Sequence, residues 1–583
     1  MIGTAPCETA TPHGEYKGFR LFALDDRFYA VPPHLVRIDP NDVERAFYHP
    51  AALAASTVEA IESLIDTFDP TPFVCEPVGE YEGHDLVRHG EHVYGVPRHL
   101  GPIDLNLEKD RTRNGVVRGE TREEVIARIC AERSAFAVEF VGWMPVFARF
   151  GNCGTHPLFG HTQAPPPGYK FLRTRPDGVG DPQADDFRRP RRGWLARLLG
   201  GVAAVFVSLA MFARSCREFG LVRCLANVFA ALRLFVRLVR KTGRVRPALR
   251  FVHSRHFQSQ VVAPRADLVF VTSVPYTYGQ NPWVIEIEDS NTLFYPFIAN
   301  GKTAGVDVAR SPYFAMVKAM LEDDACRGIL THMRSTAETL PTLFGSEVIA
   351  RKVSYVPLGV RPPKRWQTQD GGETINLLFT NSWHQNAEGF YLRGGLDVLE
   401  AFWILHERYP QLRLTIRSSI PKLHDRHYRM LEQSWVRVIN RFTPARRMDE
   451  LFRESHVYLL PAARIHIVSL LQAMSYGQAV VVSDGWGFDE FVTDGANGLV
   501  VRGRAGKVSW MDREAGLLRE DYRPMFGPNP AVVEGLVEAV SRLVEDGSLR
   551  RRLGRAARRD IETKHTFPQW NAALKAALDR ARQ

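Results

Sequence analysis

A chain of 583 residues is too long for a single hydrophobic core and is expected to divide into roughly three or four domains. An apolar share of 45% and a charged share of 24% exclude wholesale disorder. The formal charge of +10 is local, because residues 187–265 carry seventeen Arg/Lys against the single acid Glu218, which excludes a generally cationic protein and points to one anionic surface. Seven scattered cysteines with no C-x-x-C spacing argue against a disulfide framework or a zinc site and suit a reducing compartment. The start, MIGTAPCETATPHGEYKGF, has no charged residues leading into an apolar run, so no secretory signal is expected.

The N-terminal stretches EYKGFRLFALDDRFYAVPPHLVRID (15–39) and EYEGHDLVRHGEHVYGVPRHLGPID (80–104) align without a gap at an offset of 65 residues. Tyr16/Tyr81, Gly18/Gly83, Tyr29/Tyr94 and Pro32/Pro97 coincide. Each copy predicts a β-hairpin that turns at Asp25-Asp26 or His89-Gly90 and ends at proline. A helical stretch follows each, VEAIESLIDTF and TREEVIARICAER. A lone hairpin is not stable, so the two copies are expected to pack on each other in an α+β hairpin-repeat module over 1–180. Both a docking or glycan-binding role and a purely structural one fit it. His34 and His99 fit hydrogen-bonded turn residues better than metal ligands.

The basic segment, 187–250, follows a Pro/Gly-rich linker. Residues 198–213 are sixteen uncharged positions, just short of the ~17–25 that span a bilayer. Next, FGLVRCLANVFAALRLFVRLVRK predicts an amphipathic helix. Arg223, Arg233, Arg237, Arg240, Lys241 and Arg244 share one arc, while Val222, Leu225, Phe229, Leu232, Val236 and Val239 recur away from it. That pattern suits an anionic membrane surface, with an ordinary packed helix as the alternative. With more apolar than aromatic interleaving and no recognition motif, no nucleic-acid partner is expected.

From residue 251 the pattern is α/β. DLVFVTSV, WVIEIED, GILTHM, VSYVPLGV, INLLFTN, LRLTIRS, VYLLP and AVVVSD read as buried parallel strands separated by helical stretches. PLGVRPPKRWQTQ reads as a linker between two such domains, 251–365 and 366–583.

Six ordered blocks in the last two hundred or so residues carry a specific resemblance. INLLFTNSWHQNAEGFYLRGGLDVLEAFWIL, PQLRLTIRS, RVINRFTPARRMDELFRESHVYLLPA, ARIHIVSLLQAMSYGQAVVVSDGWG, DEFVTDGANGLVV and EDGSLRRRLGRAARRDIETKHTFPQW together resemble the donor half of a family 4 retaining glycosyltransferase (glycosyl transferases group 1). The resemblance implies a GT-B fold, two Rossmann-like domains facing a cleft, with the N-terminal, acceptor-side domain 251–365 reduced and 366–583 the donor-binding domain. It implies transfer of a sugar from a nucleotide-diphosphate donor, as co-substrate, to a glycan or lipid-linked acceptor, with no further cofactor. The alternative is a noncatalytic glycan- or nucleotide-binding protein on the same scaffold. No Asp-x-Asp occurs, which argues against metal-dependent transfer, and no metal site is expected. The protein is expected in the cytoplasm, peripheral on the inner face of the cell membrane.

By the same resemblance, Arg393 stands where the family usually has a phosphate-binding lysine, and Gly394 and Gly395 let backbone approach a diphosphate at a helix start. The family's other phosphate-binding arginine falls near Ser382, which loses a charge. Glu288 takes the place of the acceptor-side histidine and is expected to orient a hydroxyl or stabilise a cationic sugar, unless it and Glu286 are merely polar residues of a strand end. The family's Glu-x7-Glu becomes Arg464 and Gln472. Gln472 keeps one acceptor for the ribose, whereas Arg464 is a donor-only cation suited to phosphate or an acidic sugar. His466, between them, is a further candidate for the sugar.

Overall fold

The computed structural model describes residues 11–583 apart from 33–50, 142–157, 174–212, 260–265, 367–373, 382–386 and short stretches of one to four residues. His34, Ser382, the Asp25-Asp26 turn and residues 198–212 of the apolar run lie outside the described residues. The chain forms two compact units, one built mainly from Met1–Phe136 and one mainly from Phe171–Phe442 and Met448–Gln583.

The first unit holds two four-stranded antiparallel sheets. Thr11–Tyr16, Phe19–Leu24, Arg27–Val31 and Leu53–Ala55 form one, with the helix Val58–Asp66 capped by Thr57. Cys75–Tyr81, His84–His89, His92–Pro97 and Val117–Gly119 form the other, with the helix Arg122–Ser134. Both bulge early in the first strand, at Pro12/Gly14 and Pro77/Gly79. Both turn through two left-handed residues, Lys17-Gly18 and Glu82-Gly83, as a tight hairpin loop requires. Each buries its own small core, Phe19, Leu21, Ala30, Ile61 and Ile65 in one and Leu86, Val93, Val117, Val125 and Ile129 in the other. Two extra strands and a helix thus complete each hairpin, so neither needs the other to cover its apolar face.

The second unit holds two six-stranded sheets. The acceptor-side sheet runs Tyr169–Arg173, Phe136–Val141, Leu268–Thr272, Trp283–Ile287, Cys326–Thr331, Val353–Tyr355, parallel from the second strand onward. Its first two strands come from the stretch expected to form a separate N-terminal module, because an α/β sheet buried on both faces takes apolar strands such as FAVEFV wherever the chain supplies them. The donor-side sheet is parallel throughout, in the order Val436–Ile439, Leu412–Arg417, Ile375–Thr380, Val457–Leu460, Ala479–Ser483, Leu499–Val501. Two Rossmann-like domains facing a cleft are the GT-B architecture.

The basic helix is present as Leu221–Thr242, but it has three faces rather than two. Ala230, Leu234 and Leu238 pack into the acceptor-side core, so the helix belongs to that domain. The apolar stripe read from the sequence, Val222, Leu225, Phe229, Leu232 and Val236, faces outward, with Val222 81% exposed. The difference arises because a second stripe, Cys224, Asn227, Ala230, Leu234 and Leu238, faces the core.

Candidate functional site

On the donor side, Arg393 precedes a helix, Gly395–Arg408, that opens at Gly394 with no side-chain cap. Gly394 has φ +82°, and a Cβ there would lie 2.4 Å from the Pro461 carbonyl oxygen. A Cβ on Gly395 would meet the Phe390 ring at 2.4 Å. Close packing therefore demands both glycines, and the helix starts beside Arg393 without a side-chain cap from its N-cap residue. The Arg393 side chain is buried and lies 3.5 Å from the Ser469 hydroxyl. Arg417, the last residue of its strand, is also buried and donates to the Asn381 carbonyl. Burial pushes Arg393 down to about 10, outweighing the attraction of Tyr458 and Glu288. Burial, and then repulsion from Arg393, pushes Arg417 down to about 10 as well. The second cation that the sequence reading missed thus comes from the neighbouring strand.

His466 occupies the N-cap position of the helix Ile467–Ser475. Burial, then Arg393 and Arg464, hold its imidazole well below its usual range, so it is neutral at pH 7. Gln472 lies three residues beyond Ser469 on that helix, on the same side, half-buried and without a side-chain hydrogen bond among the described residues.

On the acceptor side, Glu286 ends inside the sheet and meets His332 at 3.1 Å, both buried. His332 also bonds the Val356 carbonyl through Nδ1, 2.9 Å. Burial alone would disfavour a charged ring, but Glu286 outweighs it and raises His332. Glu288 follows the strand and remains 37% exposed. Asp289 is fully buried, and its Oδ1 accepts from the Asn291 and Thr292 amides at 2.8 and 3.2 Å.

Arg464 connects the two sides. A bridge to Trp486 fixes its backbone, and its guanidinium lies 5.5 Å from the Trp486 ring. The guanidinium lies 2.8 Å from Asp289, 3.2 Å from Glu520 and 3.6 Å from Glu288. Burial disfavours its charge, but Asp289 and Glu288 reverse that and hold it well above its ordinary value. In place of the phosphate or acidic sugar expected at Arg464, internal carboxylates occupy it. Glu288 is raised, first by burial, with Arg464 opposing and Asp289 adding to the shift.

The structure therefore gathers Glu288, Arg393, Arg464 and His466 about one cleft, with Gly394 and Gly395 at the helix start beside Arg393. Sequence reasoning missed Arg417, His332 and Glu520. Glu520 had no local signal, being 56 residues from its partner. His332 read as an ordinary residue at a strand end. Another residue spans the cleft: Glu490, from the donor side, accepts from the Arg334 and Ser335 amides at 2.6 and 2.9 Å. It caps the acceptor-side helix Arg334–Phe344, which has no side-chain cap of its own.

Residues 379–519 match the family described as Glycosyl transferases group 1. No curated protein matches the chain. Among solved structures, a glycosyltransferase from Rickettsia africae is similar at 10% identity and TM-score 0.41, over 77% of this chain and 99% of that one. TarM, known from S. aureus, is similar at 13% identity and TM-score 0.37, over 54% of this chain. The pneumococcal O-GlcNAc transferase GtfA, solved with UDP and GlcNAc, is similar at 12% identity and TM-score 0.38, also over 54% of this chain. The chain spans just over half the length of the last two, 55% and 57%.

Proposed function

We propose that the chain is a metal-independent, retaining glycosyltransferase of hexosyl type, moving a sugar from a nucleotide-diphosphate donor to a glycan or lipid-linked acceptor. One observation carries the reading. Two buried guanidiniums, Arg393 and Arg417, stand beside a glycine-opened helix start within the stretch that matches group 1 glycosyl transferases. Charge develops on the diphosphate as the glycosidic bond breaks, and fixed cations with backbone N–H groups at a helix start stabilise that charge without reorganising. Two cations pushed down to about 10 gain most from an anion between them. Gln472 then accepts from ribose hydroxyls, neutral His466 bonds the sugar, and Glu288 faces the acceptor hydroxyl. The direct test is nucleotide release from a panel of nucleotide sugars, alongside calorimetric binding.

The rival reading, a noncatalytic nucleotide- or glycan-binding protein, rests on Arg464, which stands where the family carries a glutamate and is held by internal carboxylates. Nucleotide binding without release assigns the chain to that class.

The same proposal puts the protein on the inner face of the cell membrane as a peripheral protein. No helix among the described residues is long and apolar enough to cross a membrane. Support comes from the outward stripe of the basic helix, with no acid between Glu218 and Asp267. Binding to anionic vesicles should fall several-fold in Phe229→Glu and in Arg233→Gln/Arg240→Gln, and should weaken with salt. Equal binding to neutral vesicles would remove the electrostatic part of this proposal.

A further inference from the structure

We propose that Glu520 is a positioning residue for the transfer: a hairpin carries it across the cleft, where it shares the Arg464 guanidinium with Glu288 and so sets how tightly Arg464 holds Glu288. This rests on the transferase reading above.

The hairpin pairs Ser509–Asp512 with Leu517–Glu520 and leaves the donor-side sheet after its last strand, Leu499–Val501. Its root is tied to the donor side by the Ser509 hydroxyl, which accepts from the Trp486 amide at 3.2 Å. Its far strand is tied to the acceptor side. Leu517 is buried in the acceptor-side core. The Leu518 amide donates to the Ser290 hydroxyl at 3.1 Å, and the Thr303 hydroxyl donates to the Leu518 carbonyl at 2.9 Å. The Glu520 amide donates to Thr303 Oγ1 at 2.9 Å, while its carbonyl accepts from the Thr303 and Ala304 amides at 2.9 and 3.0 Å. With its backbone so fixed, Glu520 cannot swing away from the cleft.

Its carboxylate is equally constrained. Oε2 accepts from Asn291 Nδ2 at 3.2 Å and from the Gly301 amide at 3.1 Å, and Oε1 from the Tyr522 hydroxyl and from Arg464 Nη1. Arg464 Nη2 serves Asp289 and Glu288. One cation thus faces three carboxylates, of which the two fully buried ones take the shorter contacts and the half-buried Glu288 the longest. Glu288 is held loosely because Glu520 and Asp289 already occupy its counter-ion. The charged groups acting on Glu288 are Arg464, Asp289, His332 and Glu520, with Arg393 on the donor side and Glu286 behind His332.

Removing the Glu520 charge should therefore let Arg464 grip Glu288 and lower its proton affinity. The test is Glu520→Gln in the full chain, with Glu288 titrated by carbon-13 carboxylate NMR and assigned through Glu288→Gln. The Glu288 midpoint should fall by on the order of 1 pH unit, and the limb of the pH–rate profile that reports it should move the same way. Arg464→Lys, whose point charge cannot serve three carboxylates, should move the midpoint up, and it carries the test if Glu520→Gln does not fold. An unmoved midpoint in either folded variant overturns the proposal. Wild-type transfer with an unmoved Glu288 would sink this link and leave the transferase reading intact. A shifted Glu288 in a protein that never releases nucleotide would uphold the link and sink the transferase reading.

Discussion

Arg393 and Arg464 are both deeply placed guanidiniums in one cleft, yet their surroundings drive them in opposite directions. At Arg393, burial dominates and the cation is pushed down to about 10, with Arg417 beside it suffering the same fate. At Arg464, carboxylates overcome burial and the cation is held well above its ordinary value. Burial costs both of them solvation, and at Arg464 three carboxylates offset that cost. On the transferase reading proposed above, the first faces a ligand that brings negative charge, whereas the second is held by internal carboxylates. A buried arginine is thus read by what surrounds it, not by its depth.

The largest effect expected from this contrast is on stability. Arg464→Ala leaves Asp289 and Glu520 as buried carboxylates without their cation, and should cost about 3–5 kcal/mol in urea unfolding. A loss under about 1 kcal/mol would break the comparison, because it would mean Arg464 is no better compensated than a surface arginine. Arg393→Gln should do the reverse. It should weaken binding of a nucleoside diphosphate roughly 10- to 100-fold by calorimetry while leaving the melting temperature unchanged or higher. If melting falls and binding holds, Arg393 is structural.

A third, smaller effect concerns the pair behind the cleft. His332 is raised, so its contribution is fully present below the unfolded imidazole value of about 6.5 and is lost as pH rises through its folded value. The stability difference between wild type and His332→Gln should therefore shrink from about pH 6.5 upward. A difference that grows with pH would reverse the assigned direction. Smallest is Gln472→Glu, which should tighten nucleoside-diphosphate binding a few-fold by offering ribose hydroxyls a charged acceptor, about 0.5–1 kcal/mol. Weaker binding would mean that Gln472 faces the diphosphate and not the ribose.

The donor half was legible because its evidence is local: short apolar runs between helices, and a glycine pair at a helix start, announce themselves over a few residues. INLLFTN, LRLTIRS, VYLLP and AVVVSD all fall on strands of the donor-side sheet. What stayed hidden is long-range. Strands Phe136–Val141 and Tyr169–Arg173 join their sheet across more than ninety intervening residues, and nothing in FAVEFV says which sheet will receive it. Arg417 looked like the end of an ordinary strand until the fold set it beside Arg393. Arg464 stands out as the odd residue of its loop, but its carboxylate partners lie on other segments, and no local pattern announces them. The amphipathic period of Leu221–Thr242 was visible, whereas the choice of which face meets the core depends on the partner surface.

The hairpin at residues 509–520 has a consequence for motion. Drawing the two Rossmann-like domains apart would pull Leu517 from the acceptor-side core, worth about 2 kcal/mol, and strip several backbone hydrogen bonds at Thr303 and Ala304, each about 1 kcal/mol. Glu490 would also have to leave the helix it caps. A penalty of this size holds a gaping form below about one molecule in a thousand. The hairpin and Glu490 together act as a clasp, so the two domains resist being drawn apart from either edge of the contact.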